Sequence, residues 1–264
     1  MYKTTEKLQK LLNQYNISSL GFGIKEDKLG DVYEDYCVEL LCDSSLLDKY
    51  KNSNITKSNT DEYVFSSLLT SLGYSSNSPI TQIIATRDIT PRMTGGNPKT
   101  DIIIDVFVDS KIEQKTISVK QTTAPKVAMA EFDVDTIVKE IGIKDDKLKY
   151  YLLKHQTDAS AKNFTNEEKE DLTRRLKPYL EKFIRWVVSG TPEPKSDLRY
   201  PLAIIRFKLN KQIQIEDIHC DTIDQYVNSI IYNSKGNPKK GGFGIGLGWT
   251  YATGSKGKKI QFKG

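Results

Sequence analysis

The sequence predicts a mixed α/β fold: a central mixed β-sheet flanked by helices, with a β-ribbon at the C-terminal end. Three observations lead there. Leucines, tyrosines and phenylalanines recur at helical spacing in the first 72 residues and again over 133–188, which gives amphipathic stripes. Between those blocks runs Asp101-Ile-Ile-Ile-Asp-Val-Phe-Val108, and after a turn the alternating Thr116-Ile-Ser-Val-Lys-Gln121, both reading as strands. Near the C-terminus, Trp249-Thr250-Tyr251-Ala252-Thr253 and Ile260-Gln261-Phe262 flank Gly254-Ser255-Lys256-Gly257, a hairpin pattern with a basic tip.

In chain order, 3–15 reads as a helix with Leu8, Leu11 and Leu12 on one side, and Gly21-Phe22-Gly23 reads as a break. A second helix over 28–42 buries Leu29, Val32, Tyr33, Tyr36, Cys37, Leu40 and Leu41. At about 100° per residue, Asp35 and Glu39 point away from that stripe. Glu34 lies on its border, where a carboxylate can look into a cleft. Residues 51–59 form a polar loop, and Thr60 caps the next helix, with Asp61 and Glu62 in its first turn and Gly73 as its stop. A strand over 80–85 leads to the central pair. Beyond that pair, 122–130 reads as a loop, Asp133 starts a helix to 141, and another covers about 145–155. Thr165-Asn166-Glu167-Glu168 is a capping box that opens a long helix to 188, kinked by Pro178. A linker over 190–194 precedes strands over 202–209 and 213–218 and a helix over about 222–232.

The central pair carries the chemistry. Two antiparallel strands joined near Asp109-Ser110-Lys111 bring the start of the first beside the end of the second, and Thr116, Ser118 and Lys120 share one face. The carboxylate of Asp101 therefore comes beside the ammonium of Lys120. An acid and a lysine on neighbouring strands suit metal-dependent phosphodiester hydrolysis. The carboxylate holds a divalent ion that polarises the phosphate, and the lysine positions water and offsets charge. A strand-end ion pair without function has the same pattern. Glu113-Gln114-Lys115 is a rival acid-x-lysine, read at the turn and pointing away from Asp101.

With 264 residues and 38% hydrophobic content, the chain can bury a sizeable core. Its N-terminus reads as an amphipathic helix start, and no apolar run approaches a membrane span. Three scattered cysteines, Cys37, Cys42 and Cys220, read as free thiols in a reducing compartment, with Cys37 and Cys42 buried. Two histidines, His155 and His219, are too few for a zinc site. The net charge is +5, yet after Asp224 there are seven lysines and no acid, so the first 224 residues net 5 − 7 = −2. Such a segment suits a polyanion. Its large apolar residues, Phe243, Trp249, Tyr251, Ile260 and Phe262, argue against a solvated tail. The run Gly241-Gly242-Phe243-Gly244-Ile245-Gly246-Leu247-Gly248 has dinucleotide-like glycine spacing but precedes a strand rather than a helix, so that reading is rejected. A two-stranded ribbon, by contrast, fits the major groove of DNA.

Five segments carry a family resemblance: Gly-Asn-Pro-Lys-Thr-Asp at 96–101, Ala-Glu-Phe-Asp-Val-Asp-Thr-Ile at 130–137, His-Gln-Thr-Asp-Ala-Ser-Ala-Lys at 155–162, Phe-Ile-Arg-Trp at 183–186, and Gly-Trp-Thr-Tyr-Ala-Thr-Gly-Ser-Lys-Gly-Lys-Lys-Ile-Gln-Phe-Lys-Gly at 248–264. Through them the chain resembles the MspI-like type II restriction endonucleases, within the wider PD-(D/E)xK nucleases, over nearly its whole length. The resemblance implies a restriction-endonuclease-like fold in one domain, 1–264. Its parts are a helical 1–94, the catalytic strands 95–131, a helical 132–190, and strands with the basic DNA-binding segment over 200–264. It further implies a Mg²⁺-dependent enzyme that cuts double-stranded DNA within CCGG after the first cytosine, leaving 5′-phosphate and 3′-hydroxyl ends. Such an enzyme acts as a monomer in a prokaryotic cytoplasm, beside a methyltransferase that protects host DNA. A DNA-binding protein without cleavage activity, or a nicking repair nuclease, are the competing readings.

Carried over residue by residue, the resemblance makes Asp101 the metal carboxylate and Lys120 the catalytic lysine. Ser118 stands where the wider pattern has an acid and the MspI-like pattern an asparagine. The missing charge then falls to a phosphate oxygen, the backbone carbonyl of Val119, or Glu34, a mixed oxygen shell that Mg²⁺ accepts. Thr250, Thr253, Gln261 and Lys263 fall on the ribbon that reads bases, with Lys263 the best donor for guanine O6 and N7. Lys126, Ser255, Lys256, Lys258 and Lys259 are further DNA contacts, the lysines at phosphates. Ala128 replaces a small hydroxyl of the family pattern, which removes one side-chain base contact.

Overall fold

The computed structural model describes residues 2–88, 98–194, 197–234, 242–252 and 254–264, without the side chains of 22 and 23. In chain order the elements are α1 (Glu6–Gln14), α2 (Phe22–Leu41), α3 (Ser44–Lys51), α4 (Thr60–Ser71), β1 (Ile80–Thr86), β2 (Ile102–Val108), β3 (Lys111–Thr122), β4 (Ala128–Phe132), α5 (Val134–Ile141), α6 (Asp146–Asp158), α7 (Asn166–Leu176), α8 (Leu180–Ser189), β5 (Ala203–Leu209), β6 (Ile215–Thr222), α9 (Ile223–Tyr232), β7 (Gly248–Thr250) and β8 (Ile260–Lys263). They form two compact units, each built from two chain segments: Met1–Pro125 with Ser196–Thr222, and Lys126–Lys195 with Ile223–Gly264.

The first unit holds a five-stranded sheet ordered β1-β2-β3-β5-β6. All pairs are antiparallel except β3–β5, which is parallel, so the sheet is mixed as the sequence predicts. The interior strands β2, β3 and β5 are rich in β-branched residues, of which Ile102, Ile104, Ile117, Ile204 and Ile205 have no more than traces of exposed surface. Helix α2 covers this sheet with the expected stripe. Leu29, Val32, Tyr33, Tyr36, Cys37 and Leu40 are fully buried, and the Tyr33 ring lies 4.6 Å from that of Phe207 on β5. Each such side chain contributes roughly 1.5–3 kcal/mol on burial.

Local signals in this unit were partly misread. Helix α2 begins at Phe22, with Gly21 as its N-cap, so Gly23 lies within the helix rather than at a break. A glycine in a helix costs about 1 kcal/mol, less than the burial of the stripe that follows returns. Asn59, not Thr60, caps α4: its side chain accepts from the Glu62 N–H at 3.3 Å, while the Thr60 hydroxyl donates to the Lys3 carbonyl at 2.9 Å. Helix α3, capped by Asp43 through the N–H groups of Ser45 and Leu46, adds a short layer the sequence reading did not resolve. Cys37 is buried as expected, whereas Cys42 is exposed, and all three cysteines are free.

The second unit packs α5–α9 against a three-stranded sheet ordered β4-β8-β7. Residues 128–132 are therefore a strand, where a loop was expected up to 130. Strand β8 supplies the partner that sequence neighbours could not reveal. The capping box at Thr165 forms, and the long helix divides at Pro178 into α7 and α8 around a 3₁₀ turn, Lys177–Tyr179. Aromatic rings fill the core under the sheet: Trp249 lies 4.8 Å from Phe243 and 5.2 Å from Phe262, and Phe183 lies 5.1 Å from Phe262. Gly246, at φ +80°, passes so close to helix α9 that a Cβ would sit 2.3 Å from the Ile230 carbonyl oxygen. The described glycine-rich residues lead into β7 and open no helix. Among the described residues, no helix is long and apolar enough to cross a membrane.

Candidate active site and basic sheet

Hairpin register creates the first site. Ile102 pairs with Ile117, and Asp101, one residue earlier, donates its N–H to the Ile117 carbonyl at 2.9 Å. Just upstream, the N–H groups of Lys99 and Thr100 both reach the Arg199 carbonyl, at 3.0 and 3.3 Å, which fixes the approach to the strand. The Asp101 carboxylate then meets three donors from consecutive residues of β3. Ser118 Oγ, the Val119 N–H and Lys120 Nζ all lie 2.8 Å from its Oδ2. Ser118 is buried, while the Asp101 and Lys120 side chains keep about a fifth of their surface exposed (18% and 21%), so the pair can meet a ligand.

Glu34 belongs to the same electrostatic neighbourhood. Burial pushes its carboxyl up to about 7, and the Asp101 charge adds to that rise, while Arg87 and Lys120 oppose it. Its Oε2 lies 2.8 Å from Arg87, just beyond the end of β1. Lys99 also reports on the site: burial first, then the Lys120 charge, bring its ammonium down to about 8, against the pull of Asp101. Neither Arg87 nor Lys99 was singled out from the sequence. Lys99 had a signal, since it lies within the Gly-Asn-Pro-Lys-Thr-Asp segment; Arg87 had none.

The rival pair does not reach this place. Glu113 and Lys115 lie within β3 rather than at the turn, opposite Val106 and Ile104. They alternate with Thr116, Ser118 and Lys120, so they occupy the other face. Glu113 accepts from the Tyr74 hydroxyl at 2.7 Å and pairs with Lys115 at 3.0 Å, a structural role.

Among the described residues, no group of three or more His, Cys, Asp or Glu side chains could by itself hold a metal ion. The donors at hand are two carboxylates, Asp101 and Glu34, the Ser118 hydroxyl and the Val119 carbonyl. An all-oxygen set of this size is too small for a protein-only cage but fits Mg²⁺, which commonly takes one or two carboxylates and completes its shell with water and phosphate oxygens.

The second site lies on the three-stranded sheet. Trp249, Ile260 and Phe262 point into the aromatic core, so Thr250, Gln261 and Lys263 face outward. Thr250 pairs with Gln261, and Lys263 lies between Gly248 on β7 and Ala128 on β4. The absence of a side chain at Gly248 lets Lys126 and Lys263 approach: a Cβ there would touch both at 3.6 Å. Lys126 donates to the Gly246 carbonyl, and burial lowers its pKa. Ser255 anchors the hairpin tip, with its carbonyl accepting from the N–H groups of Lys258 and Lys259 at 2.9 and 3.1 Å. Lys256, Lys258 and Lys259 are exposed there, Lys256 5.5 Å from the Tyr251 ring centroid. Thr253 lies outside the described residues, as do Gly96, Asn97, Lys235, Lys239, Lys240 and Gly241. Glu131, opposite Gln261, adds a carboxylate to this otherwise cationic face, a residue the sequence reading did not select.

Comparison with known proteins identifies the family of the whole chain. Residues 8–264 match the family model described as restriction endonuclease MspI. The chain is 38% identical to the type II restriction enzyme MspI of Moraxella sp, over 98% of this chain and 99% of that protein. It is 25% identical to the type II restriction enzyme BsuFI of Bacillus subtilis, over 99% of this chain and 65% of the relative. Its structure is similar to that of restriction endonuclease MspI crystallised with its cognate DNA, with a TM-score of 0.86 and 35% identity over 99% of this chain and 100% of the other.

Proposed function

The chain belongs to the MspI family of type II restriction endonucleases and is a site-specific deoxyribonuclease, and on that premise we propose that it cuts double-stranded DNA within CCGG after the first cytosine, using Mg²⁺. The products carry 5′-phosphate and 3′-hydroxyl ends. The observation that carries this reading is the convergence of Ser118, Val119 and Lys120 on one oxygen of Asp101. When bound, the cation polarises the scissile phosphate and eases deprotonation of the attacking water. Asp101 and Glu34 would supply the negative charge that holds it, and Ser118 and the Val119 carbonyl would add neutral oxygens. Lys120 offsets the charge that builds on the phosphate.

Specificity falls to the outward face of the β7–β8 pair. Lys263 donates to guanine, with Gln261, Thr250 and Thr253 at neighbouring base edges. Lys126, Ser255, Lys256, Lys258 and Lys259 contact the DNA backbone. The whole chain acts as one endonuclease domain, monomeric, in a prokaryotic cytoplasm, with a methyltransferase guarding the host's own sites.

Digesting a sequenced genome with the purified protein and Mg²⁺, then sequencing the fragment ends, tests this reading. Every end is expected within CCGG after the first cytosine, and chelation of the metal is expected to stop the reaction. Ends at another fixed sequence overturn the site; retarded but intact DNA overturns cleavage.

A further inference from the structure

Three carboxylates project from one stretch of α2 toward a single guanidinium. Arg87 holds Asp35 through Nη1 at 2.7 Å, and through Nη2 holds both Asp31, at 2.6 Å, and Glu34, at 2.8 Å. Nη1 also reaches the Asp31 backbone carbonyl at 3.3 Å. Two of these partners are themselves anchored: Asp31 to Lys28 at 2.9 Å, and Asp35 to the Tyr15 hydroxyl. The planar fork of the guanidinium is thus immobilised on two sides, and Glu34 is bound by a group that is already fixed. Without it, like charges three and four residues apart on a helix repel one another. Helix α2 is joined to the catalytic strand as well, through the Gln121 side chain, which donates to the Glu26 carbonyl at 3.0 Å. Glu34 therefore has its backbone set by α2 and its carboxylate set by Arg87, and it feels the charges of both Asp101 and Lys120.

We propose that Arg87 is a positioning residue of the nuclease site, acting through Glu34: its fixed guanidinium holds Glu34 as the second carboxylate, in place of the acid that Ser118 lacks. The proposal rests on the nuclease reading above. Arg87 touches neither substrate nor cation; it sets how much of the time Glu34 stands ready. Lysine in its place would keep the charge but not the fork that engages three partners at once.

Manganese, whose free ion is read directly by electron paramagnetic resonance, serves as the probe for metal binding to the DNA-free protein. Arg87→Ala is expected to weaken Mn²⁺ binding about tenfold and to raise the Mg²⁺ needed for half-maximal cleavage by the same factor, with Arg87→Lys recovering part of both. In the Glu34→Gln background, Arg87→Ala should weaken metal binding no further. Wild-type Mn²⁺ affinity in a folded Arg87→Ala protein overturns the proposal, as does a second full loss in the Glu34→Gln background. Should Arg87→Ala not fold, Arg87→Lys with and without Glu34→Gln carries the same comparison. If Asp101→Asn binds Mn²⁺ and cleaves as the wild type does, the nuclease reading itself fails and Arg87 with it.

Discussion

The Asp101 site and the outer face of the β7–β8 sheet handle charge in opposite ways. At the first, each charged group is held before any ligand arrives: Lys120 by Asp101, Glu34 by Arg87, and Arg87 by three carboxylates. At the second, Lys256, Lys258 and Lys259 stand exposed on a hairpin tip, and Lys263 faces outward from a sheet whose other side is dry. Chemistry gains from groups that need no rearrangement in the transition state. Grip on a polyanion gains from solvated cations, because releasing the counterions of the duplex supplies the driving force. On the function proposed above, one chain would use both strategies, each where it is effective.

The sharpest way to break this contrast is to cut into the pre-organised site. Asp101→Ala and Lys120→Ala should each lower the cleavage rate by about 10²–10³-fold or more, while gel-shift affinity for DNA stays close to wild type. Loss of activity in Glu113→Ala and Lys115→Ala instead would hand the catalytic role to the other face of β3.

The dry side of the second sheet offers the next effect. His155 is fully buried among Phe164, Phe243 and Trp249, with neither ring nitrogen hydrogen-bonded, and burial brings it down to about 4 despite the opposing charge of Asp158. Because that value lies below the ordinary 6.5, the unfolded chain binds the proton more readily. The stability tied to His155 is complete above about pH 6.5 and is lost as pH falls, by about 3 kcal/mol near pH 4. Urea denaturation followed by tryptophan fluorescence should show this slope, and His155→Phe should flatten it; equal slopes in the two proteins would exclude His155 as its source.

Smaller effects separate reading from grip. Lys263→Ala should cost roughly 1–3 kcal/mol for the cognate site and relax discrimination at the base it addresses. An equal loss on all sequences would make it a phosphate contact. Single alanine substitutions at Lys256, Lys258 or Lys259 should weaken binding uniformly and reduce the salt slope by about one. A change in cleavage sequence from any of these three would show that the tip reads bases.

What the sequence disclosed follows from how far apart the interacting groups lie along it. Asp101 and Lys120 were legible because a hairpin turns spacing into proximity by period-two arithmetic. The face bearing Gln261 and Lys263 was legible for the same reason. Glu34 stood out because its place on the border of a helical stripe is a local property. Arg87 was not legible: a lone arginine after a strand acquires meaning only when α2 packs beside it, and nothing in its neighbourhood encodes that. The true start of α2 was hidden by two glycines whose cost the buried stripe overrides. Strand β4 was hidden behind Pro125 and short alanines, since its partner β8 lies at the far end of the chain. The carboxylate of Glu131 went unnoticed beside Gln261 for the same reason.

The placement of β3 and β8 has a consequence for the order in which this enzyme comes into being. β3, which bears Lys120, is flanked by β2 on one side and by β5 on the other, and the whole of Lys126–Lys195 intervenes before β5 is made. β8 comes after both β4 and β7 in the chain, yet it occupies the middle of their sheet. On the ribosome, β3 therefore keeps an unpaired edge until β5 emerges, and the β4-β8-β7 sheet cannot close before β8 is made. A nascent chain that has not yet reached β5 therefore has neither sheet complete.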